Sequence, residues 1–334
     1  MDKIFEFLEK NIMGPMSVLA SKQFVRAIMA AGVSTIPFTI VGSAFLILGV
    51  LPQAFPFLEG IWAASFDRLT NLYMIGNWFT MGVLALYFNI VMGYELTKIK
   101  VEEYGLDLNP MSGAMLSMMA FLFTMVELKW EDGVYVFVEG DGYVNGVAYG
   151  NFASRLGSSG IFVGILMACL AVFLYKFCIQ NNWQIKLPDA VPAGVARAFS
   201  ALIPCAVVAL VTIFINGILI LFGYDLYSIV ALPFGFMGNI IDSWFGVFVA
   251  NLLICLLWSV GIHGANIISP FFQAFTLENV AKNGQLFLSG ATTGYATFAG
   301  EFQNMFVFCG GSGATLGMCI WMLTRAKSEQ LSVL

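Results

Sequence analysis

The chain has 334 residues, 59% of them hydrophobic and only 10% charged, with a mean hydropathy of +0.85. An ordinary soluble domain is about 25% charged, so a soluble enzyme is excluded and an integral membrane protein is expected. The formal net charge of -5 gathers largely in one acidic loop, and no basic patch offers a surface to nucleic acid.

Residues 1–20 read as an amphipathic helix lying in the membrane interface. Ile4, Phe5, Leu8 and Ile12 recur at helical spacing among Asp2, Lys3, Glu6, Glu9 and Lys10, and Gly14-Pro15 ends the pattern. A bilayer core about 30 Å thick takes roughly 20 apolar residues of helix. The following runs are continuous and rich in Leu, Ile, Phe and Met, without the alternation of barrel strands. They predict a first span over 24–51, carrying Pro37, a second over 72–94, carrying Asn77 and Asn89, and a third over 111–126.

The stretch 129–151 differs in kind. Val134, Val136 and Val138 alternate with Tyr135 and Phe137 ahead of Gly140-Asp141-Gly142. This predicts a small extracellular β-hairpin, the other reading being a disordered acidic loop. A fourth span over 160–179 leads through a polar connection with Lys186, Pro188, Asp189, Pro192 and Arg197 to a fifth over 199–222. Residues 226–241 are apolar but broken by Pro233, Gly235 and Gly238, which suits a tilted or interfacial piece. A sixth span is expected over 244–260, a polar stretch over 275–290 and a last span over 302–323.

Basic residues near span ends set orientation. Lys3, Lys10, Lys22 and Arg26 put the N-terminus in the cytoplasm, and alternation then leaves Lys98, Lys100, Lys176, Lys186 and Arg197 inside and the hairpin outside. After six spans, one further crossing would leave Arg325 and Lys327 outside, against the rule. A broken segment near 226 or 267 therefore also crosses, or the C-terminal end is not in its usual setting. The six cysteines show no CxxC spacing and no partner histidines, so neither a disulfide framework nor a metal site is signalled.

His263, the chain's only histidine, lies in Trp258-Ser-Val-Gly261-Ile-His263-Gly264-Ala-Asn266-Ile-Ile-Ser-Pro270. A titratable ring at membrane depth is costly and usually faces a cavity or the bundle interior. Gly261, Gly264 and Pro270 are what a re-entrant hairpin needs, and transporters place substrates at such broken helices. Neutral imidazole donates and accepts, as a sugar hydroxyl does. The alternative is a histidine bonded to a neighbouring helix for structure alone. Glu127 and Glu301 are further carboxylates, both read as interfacial, and Gly310-Gly-Ser-Gly lacks the Gly-Lys-Ser/Thr of a phosphate loop. An enzyme using His263 as acid or base lacks a nucleophile, metal cluster or carboxylate pair close in sequence.

The segment Gly261-Ile262-His263-Gly264, followed by Ala265-Asn266-Ile267, resembles the GIHG signature of phosphotransferase-system enzyme IIC permeases. Residues 1–56, the Arg155-Leu-Gly-Ser-Ser-Gly160 turn, the 186–192 connection and Gly310-Gly-Ser-Gly-Ala-Thr-Leu316 are similar to the lactose/cellobiose/diacetylchitobiose branch. The resemblance implies an all-α polytopic bundle in a bacterial cell membrane and a homodimer packed through an N-terminal half at 23–222. It implies a partial substrate-binding half at 223–334, with a β-linked disaccharide held by His263, Gly261, Gly264 and Asn266. It also implies phosphorylation by a separate IIB subunit at the cytoplasmic face, no cofactor on this chain and no enzymatic activity of its own. Family members continue past the GGSGATL segment to an N-x-x-E-P motif whose glutamate faces the histidine across the sugar. That motif is not in this chain, and Glu301, which lacks the following proline, does not take its place. A C-terminally truncated chain is therefore expected, with a non-transporting remnant that only folds or dimerises as the alternative.

Overall fold

The computed structural model describes residues 18, 21–144, 146–148, 155–157, 160–188, 190–259 and 264–299, with isolated positions 307, 311, 316, 320 and 324. The expected helix over 1–20, the tip of the hairpin at Gly261 and His263, Glu301, the glycine-rich segment at 310 and the span over 302–323 lie outside the described residues. Two compact units divide the chain, Ala27–Gly235 and a second comprising Met1–Arg26 with Phe236–Leu334.

In the larger unit, α1 (Gln23–Ala54) runs through both Pro37 and Pro52. Short helices α2 (Glu59–Ala64) and α3 (Thr70–Trp78) follow. A turn of 3₁₀-helix at Met81–Val83 then leads into α4 (Leu84–Tyr104). The expected second span is thus broken near its start and carries on ten residues beyond 94. Helix α5 (Pro110–Phe123) begins where Asn109 caps it, its Oδ1 accepting from the N–H groups of Met111 at 2.9 Å and Ser112 at 3.4 Å, with Pro110 in the first turn. Helix α6 (Ile161–Gln180) completes the central bundle with α4 and α5.

Small residues let these three helices approach. A Cβ on Gly93 of α4 would strike Ser117 of α5, and one on Gly113 of α5 would strike Thr97 of α4. The hydroxyls of Thr97 and Ser117 are bonded back to their own helices at 2.7 and 2.8 Å, so neither needs water. Asn89 crosses from α4 to α6, donating to the Gly164 carbonyl at 2.7 Å. Without a hydrophobic drive between helices in lipid, close packing of this kind and interhelical hydrogen bonds hold a bundle together.

Strands β1 (Leu128–Glu131) and β2 (Val134–Phe137) pair antiparallel, Glu131 opposite Val134. The two residues between them, Asp132 and Gly133, have φ of 50° and 84°, the twist a two-residue hairpin requires. The turn therefore lies ahead of the valine alternation, not at Gly140-Asp141-Gly142. That glycine stretch instead links to a second, smaller hairpin of β3 (Tyr143–Val144) and β4 (Val147–Ala148).

Helices α7 (Ala193–Ser200) and α8 (Leu202–Leu221) supply the fifth run, and α9 (Leu226–Ile241) is one continuous helix with Pro233 inside it. Among the described residues, four stretches are long and apolar enough to cross a bilayer: Gln23–Gly49, Phe66–Tyr104, Ile161–Gln180 and Gly194–Leu221. Leu210, Ile213 and Phe214 of α8 remain exposed, a surface suited to hydrocarbon rather than water. In the smaller unit, α10 (Trp244–Ser259) and α11 (Gly264–Leu288) pack on each other.

Candidate functional site

Helices α10 and α11 run into residues 260–263 from either side. Ile254 and Leu257 of α10 and Ile268 of α11 are fully enclosed, with Leu253, Trp258, Ala265 and Phe272 packed against them. Of the four residues expected to hold substrate, Gly264 opens α11 and Asn266 lies in its first turn. Gly261 and His263 fall outside the described residues.

Further along α11, two asparagines one turn apart grip a non-helical segment. Asn283 donates to the Ala296 carbonyl at 2.9 Å and accepts the Ala296 N–H at 2.7 Å, satisfying both amide ends. Asn279 donates to the Phe298 carbonyl at 3.0 Å, and the Phe298 N–H donates to Asp242 Oδ1 at 2.6 Å. Phe298 is wholly buried, edge-on to Phe272 at 5.6 Å. The spacing Asn279, Asn283 is a legible (i, i+4) pair, but its partner is backbone, which carries no sequence signal.

The other polar constellation is centred on Arg155, 7% exposed. Its Nη1 lies 2.7 Å from the Thr124 carbonyl, to which it donates, and 2.7 Å from Asp225 Oδ2; its Nη2 lies 3.4 Å from Glu127 Oε1. The guanidinium also sits over the Tyr227 ring at 4.5 Å. Gly160 lets the turn close, since a Cβ there would overlap the Arg155 carbonyl. Glu127 is held by its backbone to both hairpins, through Gly146 at 2.8 Å and Val138 at 3.1 Å, and its Oε2 accepts from Tyr143 at 3.3 Å. Asp225 Oδ1 accepts from the Ser228 N–H at 2.8 Å and from the Ser228 hydroxyl, so it also caps α9. One guanidinium thereby ties the end of α5, the hairpins and the start of α9 together beside a cavity of about 410 Å³. In the sequence Glu127 has the character of an interfacial carboxylate and Arg155 stands out only as part of a turn. Asp225, seventy residues on, carries no local mark of its pairing with Arg155.

Among the described residues no three His, Cys, Asp or Glu side chains converge as metal ligands. The arrangement is that of a polytopic α-helical membrane protein with a small β-hairpin appendage and buried polar clusters at helix ends. The chain belongs to the family described as Phosphotransferase system, EIIC, which it matches over residues 29–334. It is 32% identical over its full length to the cellobiose-specific EIIC component of the phosphotransferase system from Geobacillus stearothermophilus, spanning 72% of that protein. It is 29% identical over its full length to the lichenan permease IIC component of Bacillus subtilis (strain 168), again spanning 72%. The fold is similar to the crystal structure of the transporter ChbC, the IIC component of the N,N'-diacetylchitobiose-specific phosphotransferase system. The TM-score is 0.83 at 28% identity, over 98% of this chain and 73% of that one.

Proposed function

We propose that the chain binds a β-linked disaccharide of the cellobiose type and carries it across a bacterial cell membrane for phosphorylation by a separate IIB component. In this reading the chain is a transporter subunit, not an enzyme. The observation that carries it is family membership across residues 29–334, joined to relatives described as handling cellobiose, lichenan and diacetylchitobiose. His263, Gly261, Gly264 and Asn266 hold the sugar, the histidine hydrogen bonding to a hydroxyl and the glycines letting backbone come close. Residues 23–222 form the dimerising half of a homodimer and 223–334 the substrate-binding half. The N-terminus faces the cytoplasm, where IIB docks.

The packing of α10 on α11 supports this reading, since it brings both flanks of His263 together in a hydrophobic frame. Binding of cellobiose, lactose and diacetylchitobiose to the purified chain and to His263→Ala tests it. Loss of one buried hydrogen-bond partner is expected to weaken the preferred sugar by about tenfold or more. Unchanged binding of every sugar in the variant would remove His263 from the site. Uptake by cells expressing the chain with its soluble phosphotransfer partners tests transport; correct folding without accumulation of phosphorylated sugar would instead favour a chain that only folds and dimerises.

A further inference from the structure

The cavity beside Arg155 lies within the larger unit, walled by Glu127, Trp130, Arg155, Tyr224, Asp225 and Ser228. We infer that it is a second, weaker binding site for the transported disaccharide, a capture site beside the hairpins of the larger unit; this rests on the proposed function. Three observations carry it. First, the charged groups are mutually paired: Arg155 faces Glu127 and Asp225 at 3.4 and 2.7 Å, and nearby Lys129 is engaged by Glu131 at 2.7 Å. An anion would meet two carboxylates, and a cation would have to compete with the guanidinium. A neutral polyhydroxyl ligand meets neither objection, because a paired carboxylate oxygen keeps a lone pair for a hydroxyl and a guanidinium keeps spare N–H groups.

Second, two aromatic rings border these groups while still open to solvent, Trp130 at 44% and Tyr224 at 52% exposed. Trp130 is steadied edge-on by Tyr135 at 4.7 Å, so its indole is held in place without being covered. A β-linked sugar ring presents flat C–H faces between equatorial hydroxyls, which suits an aromatic wall beside a polar floor. Third, the cavity, about 410 Å³, falls in the range of roughly 300–1,000 Å³ typical of small-molecule sites. It opens at the hairpin end of the unit, the outward end in the orientation proposed above.

Saturation-transfer NMR on the full chain in detergent micelles, with cellobiose and then diacetylchitobiose as probes, tests this. Wild type is compared with His263→Ala, the pair Trp130→Ala/Tyr224→Ala, and the triple variant. Transfer to at least one sugar is expected to persist in His263→Ala and to fall about tenfold when both rings are also removed. Trp130→Phe, which keeps a flat ring, is expected to retain most of it and guards against a folding defect. If His263→Ala alone abolishes transfer while the ring pair matches wild type, there is one sugar site and the capture site is refuted, with the proposed function intact. If wild type shows no transfer to either sugar, both fail together.

Discussion

Arg155 is the residue on which the larger unit's polar interior turns. Two carboxylates with side chains only 18% and 12% exposed depend on one guanidinium. Breaking such a pair leaves an uncompensated charge, which costs about 3–5 kcal/mol, far more than the intact pair contributes. Arg155→Ala is therefore expected to lower the thermal midpoint in detergent sharply. Arg155→Lys should recover part of the loss, since one ammonium cannot span Thr124, Asp225 and Glu127 as the planar fork does. Tyr143 gives a pH signature for the same cluster. The Glu127 carboxylate beside it, then burial, push its hydroxyl above the ordinary value of 10.0. A raised folded-state value means that the folded protein keeps this proton longer. The stability Tyr143 contributes is thus complete below pH 10 and is lost as pH rises through the folded value. Thermal midpoints of wild type and Tyr143→Phe should differ by a constant amount from about pH 8 to 9.5 and converge or cross above that.

Among the elements, the α4–α5 crossing is the most demanding. A Cβ on Gly93 would meet the Gly113 carbonyl at 2.9 Å as well as the Ser117 side chain, so larger residues must push the helices apart. Gly93→Leu is expected to destabilise by about 1–3 kcal/mol, seen as a lower thermal midpoint, whereas Gly60→Ala, with open space around it, should be nearly silent. The first β-hairpin is a more local matter. Gly133, at φ 84°, resists a side chain, and Gly133→Ala should cost about 1 kcal/mol and raise protease nicking near 132 without altering the bundle. Its turn eluded the sequence reading because Leu128–Glu131, LKWE, shows no clean apolar alternation. The Asp-Gly dipeptide was the signal, and its significance depends on a partner strand whose own pattern is weak.

At the scale of the whole molecule, the ends of the larger unit differ in charge. Glu127, Arg155 and Asp225 line a cavity at the hairpin end, while Arg197 and Asp107 line one at the other, where Lys100 and Lys176 also flank Tyr104 at 5.4 and 4.6 Å. In the orientation proposed above, which follows the positive-inside rule, the hairpin faces outward. In a chain with its six cysteines replaced, an impermeant thiol reagent on whole cells should label Asp141→Cys and spare Lys186→Cys; the reverse pattern would invert the topology.

Composition and the length of the apolar runs, by themselves, determined that this chain lives in a bilayer as helices, because backbone in hydrocarbon has few ways to satisfy its hydrogen bonds. They also located the fourth span to within a residue, 160–179 against Ile161–Gln180, since its ends coincide with loss of apolar character. Tertiary structure alone decided that α9 continues through Pro233, that the second run breaks between α3 and α4 and runs on to Tyr104, and that Arg155 joins Glu127 to Asp225. A proline or a charge is tolerated or not according to what packs against it. Those partners are distant in sequence, so no local pattern could reveal them.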